Sequence, residues 1–391
     1  MARWDYRWTV LSLCTLAFFA TMVARLVISP VVPAIETEFD ASSGLVGVAL
    51  TGLWTAYALA QFPSGVLADR YGERAVILVA IGLTAVASGL LALSPSMPAF
   101  VLLTILLGGV AGLHYSVATS LLTRTFDGVG TAIGLHNSGA PLAGLLAPVA
   151  AAAVAGLVGW RASIGLGAVV AAPIFLLFAW KVRRTEPARP DQPMRERFAL
   201  GPVRDLLTRP QIAFTAFLSI CCEFVWQATA SFLPSFLIYH HGYSAGLASA
   251  LFSLYFVVHG VTQPGIGVLS DRFGREAAAA LCALLGIAGY GTLILGAGLP
   301  VLVGAVVLVG TGMSWGAALL PRFMDYLSAE ERGAGFGLVR TAYMMVSATG
   351  SAVVGIVADL AGWGAAFGVF VVLLSAVVAA LAVNRTFDLG L

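Results

Sequence analysis

The chain of 391 residues is 59% hydrophobic and 10% charged, where an ordinary soluble domain carries about 25% charged residues. No water-exposed fold buries so large an apolar share, and a net charge of +2 without a basic tract offers no surface for nucleic acid. The four cysteines, Cys14, Cys221, Cys222 and Cys282, lie in apolar runs without metal-ligand spacing or a disulfide framework, and read as small buried hydrophobes. The class is an integral membrane protein.

About 20 apolar residues cross the roughly 30 Å of a bilayer's hydrocarbon as a helix, and twelve such runs follow one another. The first, 8–33, carries Arg25; it is too long for a signal peptide and lacks a small-residue cleavage site, so it is a retained helix. The second, 44–67, runs into the decapeptide "GVLADRYGER" at 65–74, and the third covers 75–94. After the turn "SPSMP" comes 98–122 with His114, then "DGVG", then 131–157 with His136, then 162–182. The stretch 181–210, opening "KVRRTEPARP", is the clear composition shift in the chain and reads as a linker. Beyond it, 211–238 carries Glu223, Trp226 and Gln227, and 246–268 carries His259 and ends on a second decapeptide, "GVLSDRFGRE", at 267–276. The last four runs are 277–297, 300–322, 333–358 with Arg340, and 363–383. The period-two alternation of a membrane β-barrel is absent, so the expected fold is all-α.

Arginine sets the expected orientation. With the N-terminus in the cytoplasm, the inner side receives Arg3, Arg7, Arg70, Arg74, Arg124, Arg272, Arg275, Arg332, Arg385 and the linker cluster, and the outer loops hold Arg161. Both termini are then cytoplasmic. Lys181 is the lone lysine, a usage that points to a GC-rich prokaryote. The halves also repeat each other: the decapeptides, Gln61 and Gln263, Pro98 and Pro300, and Gly108 and Gly310 all align at an offset of 202. "GTAIGL" and "GAGFGL", and Gly159-Trp160 and Gly362-Trp363, align at 203. Such an order of matches implies a bundle of six helices at 1–183, a linker at 184–210 and a similarly oriented bundle at 211–391.

The shared pattern G-x-L-x-D-R-x-G, between the second and third helices and again between the eighth and ninth, resembles the signature of the major facilitator superfamily. The resemblance extends over essentially the whole chain. It implies twelve transmembrane helices in two pseudo-symmetric bundles and transport of one small solute by alternating access. Helices 1, 4, 7 and 10 would line the cavity. Drug antiporters of that superfamily carry an arginine in an R-x-x-x-G pattern of the fourth helix, where this chain has Ile105 in "ILLGG". In the decapeptides, Gly65 and Gly72 would permit close approach and a tight turn, Asp69 would meet the N-terminus of the eleventh helix near Gly333, and Arg70 and Arg74 would pair with Glu330 or Glu331. Gly267, Asp271, Arg272, Gly274 and Arg275 repeat the set, as conformational gating contacts that form and break between states.

Polar groups inside a membrane are expensive and mark function. Arg25, whose planar fork fits a carboxylate, sulfonate or phosphate, is the expected substrate ligand, with His114, Trp226, Gln227, His259 and Arg340 beside it. Pairing of Arg25 with Glu223 is the competing structural role. Glu223 is the expected proton carrier. Trp54, Tyr57, Tyr255, Tyr290, Trp315 and Tyr343 are aromatics able to stack on a ligand. No catalytic constellation, phosphate-cradling loop, metal site or cofactor motif is present. The expectation is a monomeric, proton-coupled symporter of a small organic anion in the cell membrane. The alternatives are a proton-coupled drug or metabolite exporter, and a non-transporting sensor with the same fold.

Overall fold

The computed structural model of the protein describes residues 5–190, 205–328, 331 and 334–391. In hydrocarbon each backbone amide must find its partner within its own segment, so the apolar runs become helices. The chain order is α1 (Tyr6–Leu26), a 3-10 turn at Ser29–Val31, α2 (Val32–Phe39), α3 (Ser43–Tyr71), α4 (Glu73–Ala92), α5 (Met97–Gly112), α6 (Tyr115–Thr125), α7 (Val129–Asn137), α8 (Gly139–Val158) and α9 (Trp160–Lys181). There follow α10 (Pro210–His241), α11 (Ala245–Phe273), α12 (Arg275–Leu295), α13 (Leu299–Gly312), α14 (Gly316–Tyr326), α15 (Ala334–Ala348) and α16 (Gly350–Thr386). Eleven stretches among the described residues are long and apolar enough to cross a membrane. The last of them, Gly335–Thr386, is bent at Gly362 (φ 84°, ψ 165°) into two crossings, which accounts for the twelve apolar runs. The first crossing reaches Phe39, beyond the expected 33, because the 3-10 turn at Pro30 interrupts the helix without ending it.

The sequence repeat is also a backbone repeat. Gly72 (φ 85°) and Gly274 (φ 97°) stand eighth in the two decapeptides, and Gly159 (φ 101°) and Gly362 (φ 84°) form the second matched pair. A side chain is strained at such angles, so glycine is what lets one helix turn directly into the next. After Gly72 and Gly274 the copies diverge, "ER" in one and "RE" in the other, yet each acid finds an arginine. Glu73 pairs with Arg124 of α6 at 2.6 Å, and Glu276 pairs with Arg322 of α14 at 2.8 Å.

The described residues fall into two compact units, one within Met1–Ala41 and Gly52–Ala199, the other within Ser42–Thr51 and Leu200–Leu391. In the first, Cys14 and Ala17 of α1, Ile77 and Ile81 of α4, Val117 of α6 and Phe178 of α9 share one buried cluster. Lipid is as apolar as leucine, so close packing rather than burial must hold the helices together. Gly108 and Gly112 of α5 accordingly lie against α3, where a Cβ would overlap the Leu53 and Tyr57 carbonyls respectively. In the second unit, Phe236 of α10 stacks on Phe367 of α16 at 3.9 Å, and Tyr290 of α12 shares a 2.6 Å hydrogen bond with Thr229 of α10. Ser42–Thr51, the first turns of α3, belongs to this second unit. There Asp359 of α16 accepts the amides of Ser43 (3.0 Å) and Gly44 (2.7 Å), capping donors that a helix start leaves free.

At the decapeptides the described residues make the following contacts. The Arg74 guanidinium donates to the Ala179 (2.6 Å) and Val182 (2.7 Å) carbonyls, and the Arg189 amide donates to the Asp69 carbonyl (2.8 Å). The first decapeptide thus anchors the chain leaving α9. Glu331, offered above to Arg70 or Arg74, is instead held by both terminal nitrogens of Arg209 (2.6 and 3.0 Å) and by the Ser328 amide (3.0 Å). Those bonds push its carboxyl down to about 2. Arg70 lies 5.7 Å from the Tyr71 ring. Glu330 and Gly333 lie outside the described residues. In the second copy Arg275 bonds Asp271 and Asp325, and Arg272 lies 5.4 Å from the Phe273 ring. Gly72 is packed so that a Cβ would overlap the Thr185 carbonyl; Gly65 has open space on its Cβ side among the described residues, so the close approach expected there is not made. A Cβ on Gly267 would stand 4.0 Å from Ala317.

Candidate functional site

In the first unit the polar centre is Arg25, in the last turn of α1 and 5% exposed. Its Nε donates to the Thr21 carbonyl (3.1 Å) and a terminal nitrogen lies 2.8 Å from the Met22 sulfur. The guanidinium is held over the rings of Tyr57 (4.1 Å) and Trp54 (5.3 Å), both on α3. An aromatic face attracts a cation without neutralising it, and among the described residues of this unit no carboxylate pairs with Arg25. Trp54 and Tyr57 were candidates to stack on a ligand; what they contact is the arginine.

His114 stands where α5 breaks into α6, and His136 lies on α7; both are buried. Their rings lie 5.6 Å apart, Phe18 of α1 stacks on His114 at 6.1 Å, and Tyr115 lies 5.9 Å from His136. The charge of Arg25 acts on His114, so the structure brings His114 and Arg25 into one electrostatic group.

In the second unit Glu223, half-buried on α10, accepts from Nε2 of Gln227 one turn later (2.9 Å), and the charge of Arg340 on α15 acts on it. Glu223, Gln227 and Arg340 thus form one polar group. The buried Gln227 leaves its Oε1 unpartnered among the described residues. Trp226 points instead toward α11, 6.4 Å from Phe256 and 6.5 Å from His259, and Tyr255 stacks on His259 at 6.2 Å. His259 faces the Met313 backbone. Tyr290 is engaged with Thr229, and Tyr343 stacks on Phe323 at 6.0 Å, so both are packing groups.

Sequence reasoning missed the Arg322 group. Arg322, 2% exposed, bonds Glu276, Thr215 and the carbonyl of Leu391. Its position at the very end of the apolar run 300–322 was the available signal.

The family model described as Major Facilitator Superfamily matches residues 14–251 and again 215–387. The chain is 23% identical over 265 residues to the hexuronate transporter of Bacillus subtilis, covering 65% of this chain and 62% of that protein. It is 26% identical over 288 residues to the probable sulfoacetate transporter SauU of Cupriavidus necator, covering 69% and 66%. The chain therefore spans less than two thirds of the length of these relatives. A solved structure of a bacterial homologue of the human lysosomal transporter Spinster, inward-facing and occupied, matches with a TM-score of 0.82 over 98% of both chains at 17% identity, a likeness of fold.

Proposed function

The chain belongs to the major facilitator superfamily, and on that premise we propose that it is a proton-coupled symporter of a small organic anion working by alternating access. The observation that carries this reading is Arg25, a buried guanidinium held on two aromatic faces with its charge unneutralised within its unit. Such a group favours a carboxylate or sulfonate, whose two oxygens match its fork. The names of the two relatives supply the same chemistry, a hexuronate and a sulfoacetate.

Glu223 carries the proton in this scheme. Its carboxyl sits between an apolar surround and the Arg340 charge, so an anion that draws the guanidinium to itself changes the carboxyl's protonation. Gln227, His114, Trp226 and His259 complete the two polar groups. The six-helix bundles at 1–183 and 211–391 move about the linker 184–210, with the decapeptides on the cytoplasmic side as gating contacts. Supporting the gating role is the matched turn at Gly72 and Gly274, which sets each decapeptide's charges at the junction of two helices.

The test is counterflow of radiolabelled sulfoacetate and glucuronate in proteoliposomes. Arg25→Ala is expected to lower affinity at least about tenfold, the scale of losing one charge-assisted hydrogen bond, with the fold intact. Exchange of both anions at unchanged affinity in that variant would overturn the anion reading.

A further inference from the structure

We propose that His114 and His136 form a proton site of the first unit, which fills together with an anion held at Arg25. This rests on the reading of Arg25 as the anion's ligand and adds a second proton locus to Glu223.

Two helix interruptions bring the imidazoles together. α5 stops at Gly112, packed on the Tyr57 carbonyl, and His114 follows before α6 begins; α7 ends at Asn137, one residue after His136. Both residues are 0% exposed, and none of the four ring nitrogens is hydrogen-bonded to a protein group among the described residues. One nitrogen of His136 faces the Cys14 backbone without reaching hydrogen-bond geometry. At the corresponding break in the second unit, after Gly312, the polar residue is Ser314. Its hydroxyl bonds Thr262 (2.9 Å) and lies near the His259 and Gly310 carbonyls. That break closes on itself, whereas the first leaves two imidazoles open.

A buried polar group without a partner is unfavourable, so the pair calls for something to satisfy it. Two neutral imidazoles hold two N–H donors and two acceptors. One added proton makes three donors and one acceptor, and each then has a place. One N–H bonds the other ring's acceptor, one points to the Cys14 carbonyl, and one faces the side of Arg25, where an anion held on the guanidinium accepts it. The proton comes from water on the side to which the site is open and returns to water on the other.

The titratable and charged groups facing the pair are Cys14 and Arg25 from α1 and Tyr115 from α6, with Phe18 of α1 as an apolar wall. Arg25 itself is held by Tyr57 from α3. A proton on the pair meets the positive charge of Arg25, and an anion on Arg25 removes that repulsion. Each ligand therefore promotes the other by the same factor, which is the thermodynamic requirement of symport.

The experiment measures proton uptake when sulfoacetate or glucuronate is added to the purified full-length protein in weakly buffered detergent with a pH-indicator dye. Binding is followed in parallel by thermal shift. In Glu223→Gln, about one proton per bound anion is expected to be taken up through the pair. In Glu223→Gln/His136→Gln that uptake is expected to disappear while the anion still raises the melting temperature, and in Glu223→Gln/His114→Asn the uptake per bound anion is expected to disappear as well. Uptake unchanged in both double variants overturns the inference and leaves Arg25 as an anion ligand. Failure of the unaltered protein to bind either anion, or binding that survives Arg25→Ala, overturns the anion reading and this inference with it. Where one histidine variant fails to melt cooperatively, the other decides.

Discussion

Single side chains divide into those whose meaning is visible along the chain and those that need the fold. Arg25 and Glu223 are lone charges in apolar helices, and the cost of placing them there marks them from sequence. What surrounds Arg25 is not visible in that way: Trp54 and Tyr57 are about thirty residues distant, and only the packing of α1 on α3 turns them into its platform. Glu331, offered with Glu330 to Arg70 or Arg74, is bonded in this structure by Arg209. Its carboxyl is held at about 2 by the Arg209 and Ser328 hydrogen bonds, below the ordinary carboxylate range. An acid depressed on folding stabilises the native state above its unfolded value of about 4.3 and loses that contribution as pH falls toward the folded value. The melting temperature is therefore expected to drop between about pH 4.5 and pH 2, and Glu331→Gln is expected to flatten that part of the curve in a detergent melt. An equal slope in the variant would remove the pair from the pH response.

For the helices, the apolar runs gave crossing number and approximate bounds because hydrocarbon leaves the backbone no other way to satisfy itself. The breaks inside α5–α6, α7–α8 and α13–α14 were not legible. They depend on contacts such as Gly112 against Tyr57 and Gly139 against Thr15, in which glycine admits a neighbouring backbone. The candidate site inherits this blindness, since His114 and His136 meet only because of two such breaks. The repeat also hides a substitution of partners between elements. Glu73 and Glu276 sit one register step apart in their decapeptides, yet both join the first helix after the turn to the end of the next crossing. Glu73 is 5% exposed and Arg124 54% exposed. Arg124→Ala would leave a carboxylate almost dry, at a cost of about 1–2 kcal/mol after allowing for the solvated arginine. Arg124→Ala is expected to lower the melting temperature by several degrees, and Glu73→Gln/Arg124→Ala by less. A double variant less stable than the single would contradict this account.

At the scale of the whole molecule, the proposed symport requires that the polar groups of the two units respond to the same ligand. Glu223→Gln keeps the hydrogen bond to Gln227 and removes a titrating proton. Exchange of labelled anion is expected to persist in that variant, and accumulation driven by an imposed pH gradient to fall at least severalfold. Full accumulation would take Glu223 out of the coupling. The duplication identified the superfamily but carries little about the solute, because the decapeptides bond to carbonyls and neighbouring side chains near the helix junctions while the candidate ligands are the unduplicated residues.

The loan of Ser42–Thr51 to the second unit has a consequence for how such a chain is inherited. A gene severed between the bundles would yield a carboxyl-terminal fragment lacking ten residues of its own unit, with Asp359 deprived of the two amides it caps. The halves repeat each other in sequence, but they are not interchangeable cassettes. A chimera built from two relatives must keep the start of α3 matched to the α16 it meets, so a single exchange point in the linker does not suffice and residues 42–51 must travel with the second half.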